Sequence, residues 1–278
     1  MHLNTHSRFS LRYGILSIDQ LLDRAQDMGL ERLALTDIGT TSANWDFVGR
    51  ALARGMSPVL GMDLRNGNQK CFVALAQHPE GYRALCKWVS KHHLDGSPYP
   101  QRLPASVRHA GVAAIYPWRN SPGLPLGANE WLGVQAWELG DLRLAGLDKD
   151  PLLKPHLVAL STSTFTCKRD WNAHRLLRSI DLNILLSRLD PGDCGDPRDC
   201  LRSPDELREA YQEMPELLEQ ADRLLRACHM VLPRPPKGRL HNNPHTYSGS
   251  ENGDETLVRS LCAEGLAYRY PDHDQEVL

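Results

Sequence analysis

Short β-rich apolar runs alternate with amphipathic helical segments from the first residues to about residue 190, and this alternation restricts the possible folds more than any other feature of the chain. Ser17-Ile18-Asp19-Gln20 reads as a capping box, after which Leu21, Leu22, Ala25 and Met28 recur at helical spacing until Gly29. A first strand ends near Leu3, a second runs from Arg32 to Thr36 and a third from Ser57 to Leu64. Asn66-Gly67 then turns the chain into a fourth, from Cys71 to Ala76. Further strands are expected from Gly111 to Tyr116, Trp131 to Gln135 and Leu157 to Ser161, with helices from Asp46 to Arg54, Glu80 to Lys91 and Arg169 to Ile180. The order β-α-β-α with one hairpin predicts a predominantly parallel α/β sheet or barrel. Pro- and Gly-rich stretches at 95–106 and 117–129 are its loops.

The pattern changes after Leu189. The run DPGDCGDPRDC is turn-forming, and Ser203-Pro204-Asp205-Glu206 opens the first of two helices, the second from Pro215 to Cys228. A Pro-, Gly- and Asn-rich linker follows, then a last amphipathic helix from Asp254 to Arg269. Three parts are therefore expected: an α/β domain over 1–190, a helical extension and linker over 191–240, and a terminal helix within 241–278. A formal net charge of -2 argues against a domain that grips nucleic acid over its whole surface. No stretch approaches the roughly 18 consecutive apolar residues of a membrane span, and the start lacks a signal-peptide layout, so a cytoplasmic protein without membrane contact is expected. The seven cysteines form no Cys-x-x-Cys pair, as suits reduced thiols.

On an α/β barrel, functional side chains gather just past the carboxy ends of strands. That rule selects Asn4, Thr5 and His6, then Thr36 and Asp37, Asp63, Cys71, and finally Thr162 and Thr164. Only His6, Asp37, Asp63 and Cys71 among them are useful metal ligands. The plainer reading has Asp37 capping a turn, His6 bonded locally and Asp63 on the surface. Lys168, Arg169 and Arg175 make a basic stretch beside Trp171 that suits phosphate contact with stacking, although a solvated helix face explains it as well. The run Arg234-Pro235-Pro236-Lys237-Gly238-Arg239 reads as a cationic linker. His92-His93 reads as a helix carboxy-terminal cap, and the tryptophans as packing residues.

LNTHSRFSLRYG at 3–14, LALTDIGTTSANWDFV at 33–48, SPVLGMDLR at 57–65 and ALAQHPEGYRALCKWVS at 74–90 together resemble the PHP (polymerase and histidinol phosphatase) domain at the amino terminus of bacterial DNA polymerase III alpha subunits. KRDWNAHRLLRSID at 168–181 resembles the helix after that family's last metal motif. LRSPDELREAYQEMPELLEQADRLLRAC at 201–228 is similar to the segment leading to the palm, and ETLVRSLCAEGLAYRY at 255–270 to the helix opening the polymerase region. The resemblance implies a distorted (β/α)7 TIM-like barrel with a helical extension leading toward a polymerase palm.

It also implies a metal site in which most ligands are exchanged. The family's His-x-His falls on Asn4 and His6, its Asp-His on Asp37 and Ile38, its bridging Glu on Asp63, its next His on Cys71, and its late Asp-x-His on Thr162 and Thr164. The expectation is a structural accessory module in DNA replication, inactive by itself because it has neither palm carboxylates nor most PHP ligands. Its partners would be the palm and thumb of the alpha subunit and other replisome subunits, with DNA reached indirectly. The alternative is a metal-dependent phosphoesterase or 3′→5′ exonuclease with a reduced site, holding one weakly bound Zn or Mn at His6, Asp37, Asp63 and Cys71.

Overall fold

A computed structural model describes residues 1–230 and 246–270, so the basic run at 234–239 lies outside the described residues. In chain order the elements are β1 (Asn4–Thr5), α1 (Ile18–Asp27), β2 (Arg32–Leu35), α2 (Asn44–Ala53), β3 (Ser57–Asn66), β4 (Gln69–Ala76), α3 (Pro79–Asp95), α4 (Ala105–His109), β5 (Val112–Pro117) and β6 (Glu130–Val134). There follow α5 (Leu139–Leu144), β7 (Leu157–Ala159), β8 (Thr162–Ser163), α6 (Lys168–Leu182), α7 (Pro204–Ala210), α8 (Glu216–Arg226) and α9 (Glu251–Arg269).

The local signals act as their chemistry requires. Ser17 and Gln20 cap each other's backbone at the start of α1, and Ile18, Leu21, Leu22 and Ala25 form its buried face. Pro79 opens α3, where no amide hydrogen is needed, and Gly96 ends it at φ 62°. Two expectations shift. The first strand lies at Asn4–Thr5, beyond Leu3, and the seventh breaks at Leu160-Ser161 into β7 and β8. A short helix, α4, also forms at the edge of a stretch expected as loop.

Six strands pair in the order β2-β3-β4-β5-β6-β7, and only β4 runs against its neighbours. Strand β1 pairs in parallel with β8. On its other side it accepts a hydrogen bond at the Thr5 carbonyl from the Thr36 amide, 2.9 Å away, just past β2. The result is an α/β fold on a strongly curled sheet, with the carboxy ends of β1, β2 and β8 brought side by side. One apolar core fills the space between the sheet and α3, α5 and α8, and a second lies under α1 and α2. Tyr211 hydrogen-bonds the Val134 carbonyl, and α8 packs along β7, so α7 and α8 share the compact unit of the strands. Contacts divide the chain between residues 232 and 233. The second unit contains α9, capped by Ser250, with Leu257, Val258 and Leu261 exposed.

Candidate functional site

Asp63 is fully buried inside the curl, where a charged carboxylate is stable only with partners. It has five donor contacts, four on Oδ2 and one on Oδ1. Arg65 forks onto it, Nε to Oδ1 at 3.1 Å and Nη2 to Oδ2 at 2.7 Å. Lys70 Nζ lies 3.3 Å from Oδ2, Asn4 Nδ2 donates to the same oxygen at 3.2 Å, and His6 Nε2 lies 3.0 Å from it. Burial alone would raise this carboxyl, but Arg65 and Lys70 hold it well below the usual carboxylate range.

Strand geometry explains who arrives there. Residues two apart on β3 share a face, so Asp63 and Arg65 point the same way. The β3–β4 ladder then shifts register between Leu64 and Arg65: Leu64 faces Phe72, whereas Arg65 faces Lys70. Cys71 is the extra residue of this bulge, and the bulge brings Lys70 onto the face of Asp63. The Cys71 thiol makes a weak contact with the Gln69 carbonyl, at 3.9 Å, and burial pushes its pKa up.

The hydrogen bonds spread outward from Asp63. Burial lowers the His6 imidazole to about 4, so it is neutral at pH 7. Asp63 is ionised and can only accept, which places the His6 proton on Nε2 and leaves Nδ1 to accept from the Thr164 hydroxyl at 2.8 Å. Asn4 donates to Thr162 at 3.3 Å and accepts from Thr36 at 2.8 Å, while Gln135 donates to Thr162 at 2.8 Å. The lost-ligand positions Asn4, Thr162 and Thr164 thus converge with His6 and Asp63, but as a hydrogen-bonded net.

Asp37 is spent elsewhere. Its oxygens accept from the Ser7 amide and hydroxyl, both at 2.7 Å, and from the Ser10 hydroxyl at 2.6 Å. The carboxylate therefore holds the turn after β1, as the plainer reading of a turn cap had it, and burial raises its pKa against those bonds. Among the described residues no group of three or more His, Cys, Asp or Glu side chains could hold a metal ion. A divalent cluster does not fit this donor set: both Asp63 oxygens already face Arg65, with Lys70, Asn4 and His6 on Oδ2, both His6 nitrogens are engaged, and the Asp37 oxygens are taken up by Ser7 and Ser10.

Several participants escaped the sequence reading. Arg65 could have been found, because strand alternation puts it on the face of Asp63. Lys70 could not, since it depends on the bulge. Asp199 lies in a turn-forming run that composition reads as exposed, yet it is buried with Oδ1 lacking a hydrogen bond, and burial raises it to about 6. Tyr13 forms an aromatic wall, edge-on to His6 at 5.4 Å and under the Arg65 guanidinium at 4.6 Å. Beside it opens a cavity of about 270 Å³ walled by Phe9, Tyr13, Ile38, Arg65, Asn68 and Arg178 among others, with no His, Cys, Asp or Glu in its lining. Farther off, Lys168 and Arg169 are exposed at the start of α6, and Arg175 stacks on Trp171 at 5.0 Å. His92 and His93 sit in the last turn of α3 and bond Ser97 and Tyr99.

Comparison with known proteins bears on this centre. A family model described as the PHP domain matches residues 2–115. DNA polymerase III subunit alpha of Treponema pallidum is 25% identical in an alignment covering 100% of this chain and 27% of that protein. The corresponding subunit of Bacillus subtilis is also 25% identical, with the same coverage of both chains. An error-prone DNA polymerase of Symbiobacterium thermophilum is 25% identical over 97% of this chain and 28% of its own length. The chain thus spans little more than a quarter of the length of these curated relatives. A solved chain described as a metal-dependent phosphoesterase, from Bifidobacterium adolescentis, covers 75% of this chain and 94% of its own at 13% identity, but its TM-score of 0.29 is too low to bear on the fold. With the motifs in order along the sequence and alignments that run its full length, the chain carries a PHP domain and is homologous to the amino-terminal region of DNA polymerase III alpha subunits.

Proposed function

We propose that the chain acts in DNA replication as a structural accessory module, the amino-terminal PHP portion of a DNA polymerase III alpha subunit, with no hydrolytic centre of its own. In this reading the curled sheet is the distorted (β/α)7 barrel of that domain. The observation that carries it is the engagement of Asp63 by the cations Arg65 and Lys70 together with His6 and Asn4. A phosphoesterase needs a base or metal-bound water facing its substrate, and the adjoining cavity offers neither imidazole nor carboxylate.

The partners are the palm and thumb of the alpha subunit, with other replisome subunits beyond them, and the exposed Leu257 and Leu261 of α9 suit such an apolar contact. DNA is met locally, through Lys168, Arg169 and Arg175, and not through the whole surface. The deciding experiment assays 3′→5′ exonuclease and phosphodiesterase activity with Mn²⁺ or Zn²⁺, against an Asp63→Ala control. Activity at the level of the control is expected. Metal-dependent hydrolysis that disappears in the control would return the chain to the hydrolases.

A further inference from the structure

A carboxylate, an imidazole and hydroxyls gathered at strand ends form the shell of a cation site, and a buried shell of that kind needs positive charge at its centre. Here the positive charge comes from the chain itself. Arg65 and Lys70 place their heads 2.7 and 3.3 Å from the same oxygen of Asp63, and Arg65 takes the other oxygen as well. Their side chains are only 10% and 20% exposed, so both charges are committed to the interior. Asp63 therefore has its counter-charge from within the chain, without an ion.

The backbone supports this arrangement. In an unbulged ladder Arg65 would face Cys71, and Lys70 would point to the other side of the sheet; the register shift puts Lys70 opposite Arg65 instead. The Tyr13 ring then backs the guanidinium, 4.6 Å from its centre.

We infer that Arg65 and Lys70 are resident counter-cations that stand in for a divalent metal on Asp63, and that the centre stays folded and metal-free because they occupy its coordination positions. The inference deepens the scaffold reading and rests on it, yet the two fail separately. Metal uptake without hydrolysis overturns the counter-cation assignment alone, whereas metal-dependent hydrolysis overturns both.

The test uses the full chain, stripped with EDTA and then titrated with Mn²⁺ or Zn²⁺ by calorimetry and thermal melts. For the unmodified chain, no stoichiometric uptake and an unchanged Tm are expected; one equivalent bound with a raised Tm overturns the proposal. In Arg65→Gln/Lys70→Gln the acids and His6 remain while both cations are gone. Its Tm should fall in EDTA and recover by about 5 °C or more at saturating Mn²⁺. A melting temperature that ignores the metal overturns the proposal. If this variant does not fold without metal, refolding yield becomes the readout: recovery with Mn²⁺ supports the proposal, and none with either ion overturns it. Lys70→Arg, which keeps the charge, should remain indifferent to both ions.

Discussion

Asp63 joins β1, β3 and β4 through the donors that surround it, so changing its charge tests the centre at its densest point. Asp63→Asn keeps the shape but leaves Arg65 and Lys70 without an anion in a buried setting. A loss of about 3–5 kcal/mol is expected, read from the urea midpoint at constant slope. Asp37→Asn should leave that centre intact and loosen the Ser7–Ser10 turn instead. A second buried acid, Glu130, binds the loops at 95–106 and 117–129 to the sheet. It accepts from Arg102 at 2.8 Å, Gly127 at 2.8 Å and Tyr116 at 3.0 Å, with Arg108 2.9 Å away. Burial would raise its carboxyl, but Arg102 and the other donors hold it at about 2, below the ordinary 4.5. The folded state therefore binds this proton less readily than the unfolded one, and the stabilisation is whole above pH 4.5 and lost as pH falls through about 2. Glu130→Gln should melt below the unmodified chain at neutral pH, with the gap closing across that window. A gap of constant size from pH 7 to pH 2 would show that the ion pairs are not what Glu130 contributes.

At the scale of elements, β3 and β4 carry the site, and their close packing is a second point of test. A Cβ on Gly61 would sit 2.3 Å from the Ala74 carbonyl oxygen on the paired strand, against backbone that cannot move alone. Gly61→Ala should cost about 1–3 kcal/mol by forcing the ladder apart; an unchanged denaturation midpoint would mean that the hairpin opens at little cost. Helix signals were local and therefore legible: the Ser17 box and Ser203 with Glu206 at α7 both cap the helices they announce. The bulge at Cys71 was not legible, because it is a property of two paired strands and leaves no mark on either run of residues. This explains why a position selected as a ligand contributes nothing to the centre while its neighbour Lys70 does.

For the whole molecule, the division between residues 232 and 233 predicts that a chain ending at residue 230 unfolds in one transition at the Tm of the full chain. A Tm several degrees lower, or a broadened melt, would show that later residues support the strands. The sequence by itself determined the α/β class, the hairpin among parallel strands, most helix boundaries and the gathering of Asn4, His6, Asp63, Thr162 and Thr164 near one end of the sheet. These follow from periodicity, capping and the rule of strand ends, all of which act over a few residues. Tertiary structure alone decided what these side chains became. The curl of the sheet set Asn4 of β1 against Asp63 of β3 and Thr162 of β8, the bulge turned in Lys70, and a turn of polar residues was folded under to bury Asp199. Charge and hydrogen-bond balance in a buried space depends on every group that reaches it, and the hydrogen-bonded partners around Asp63 lie up to 158 residues apart.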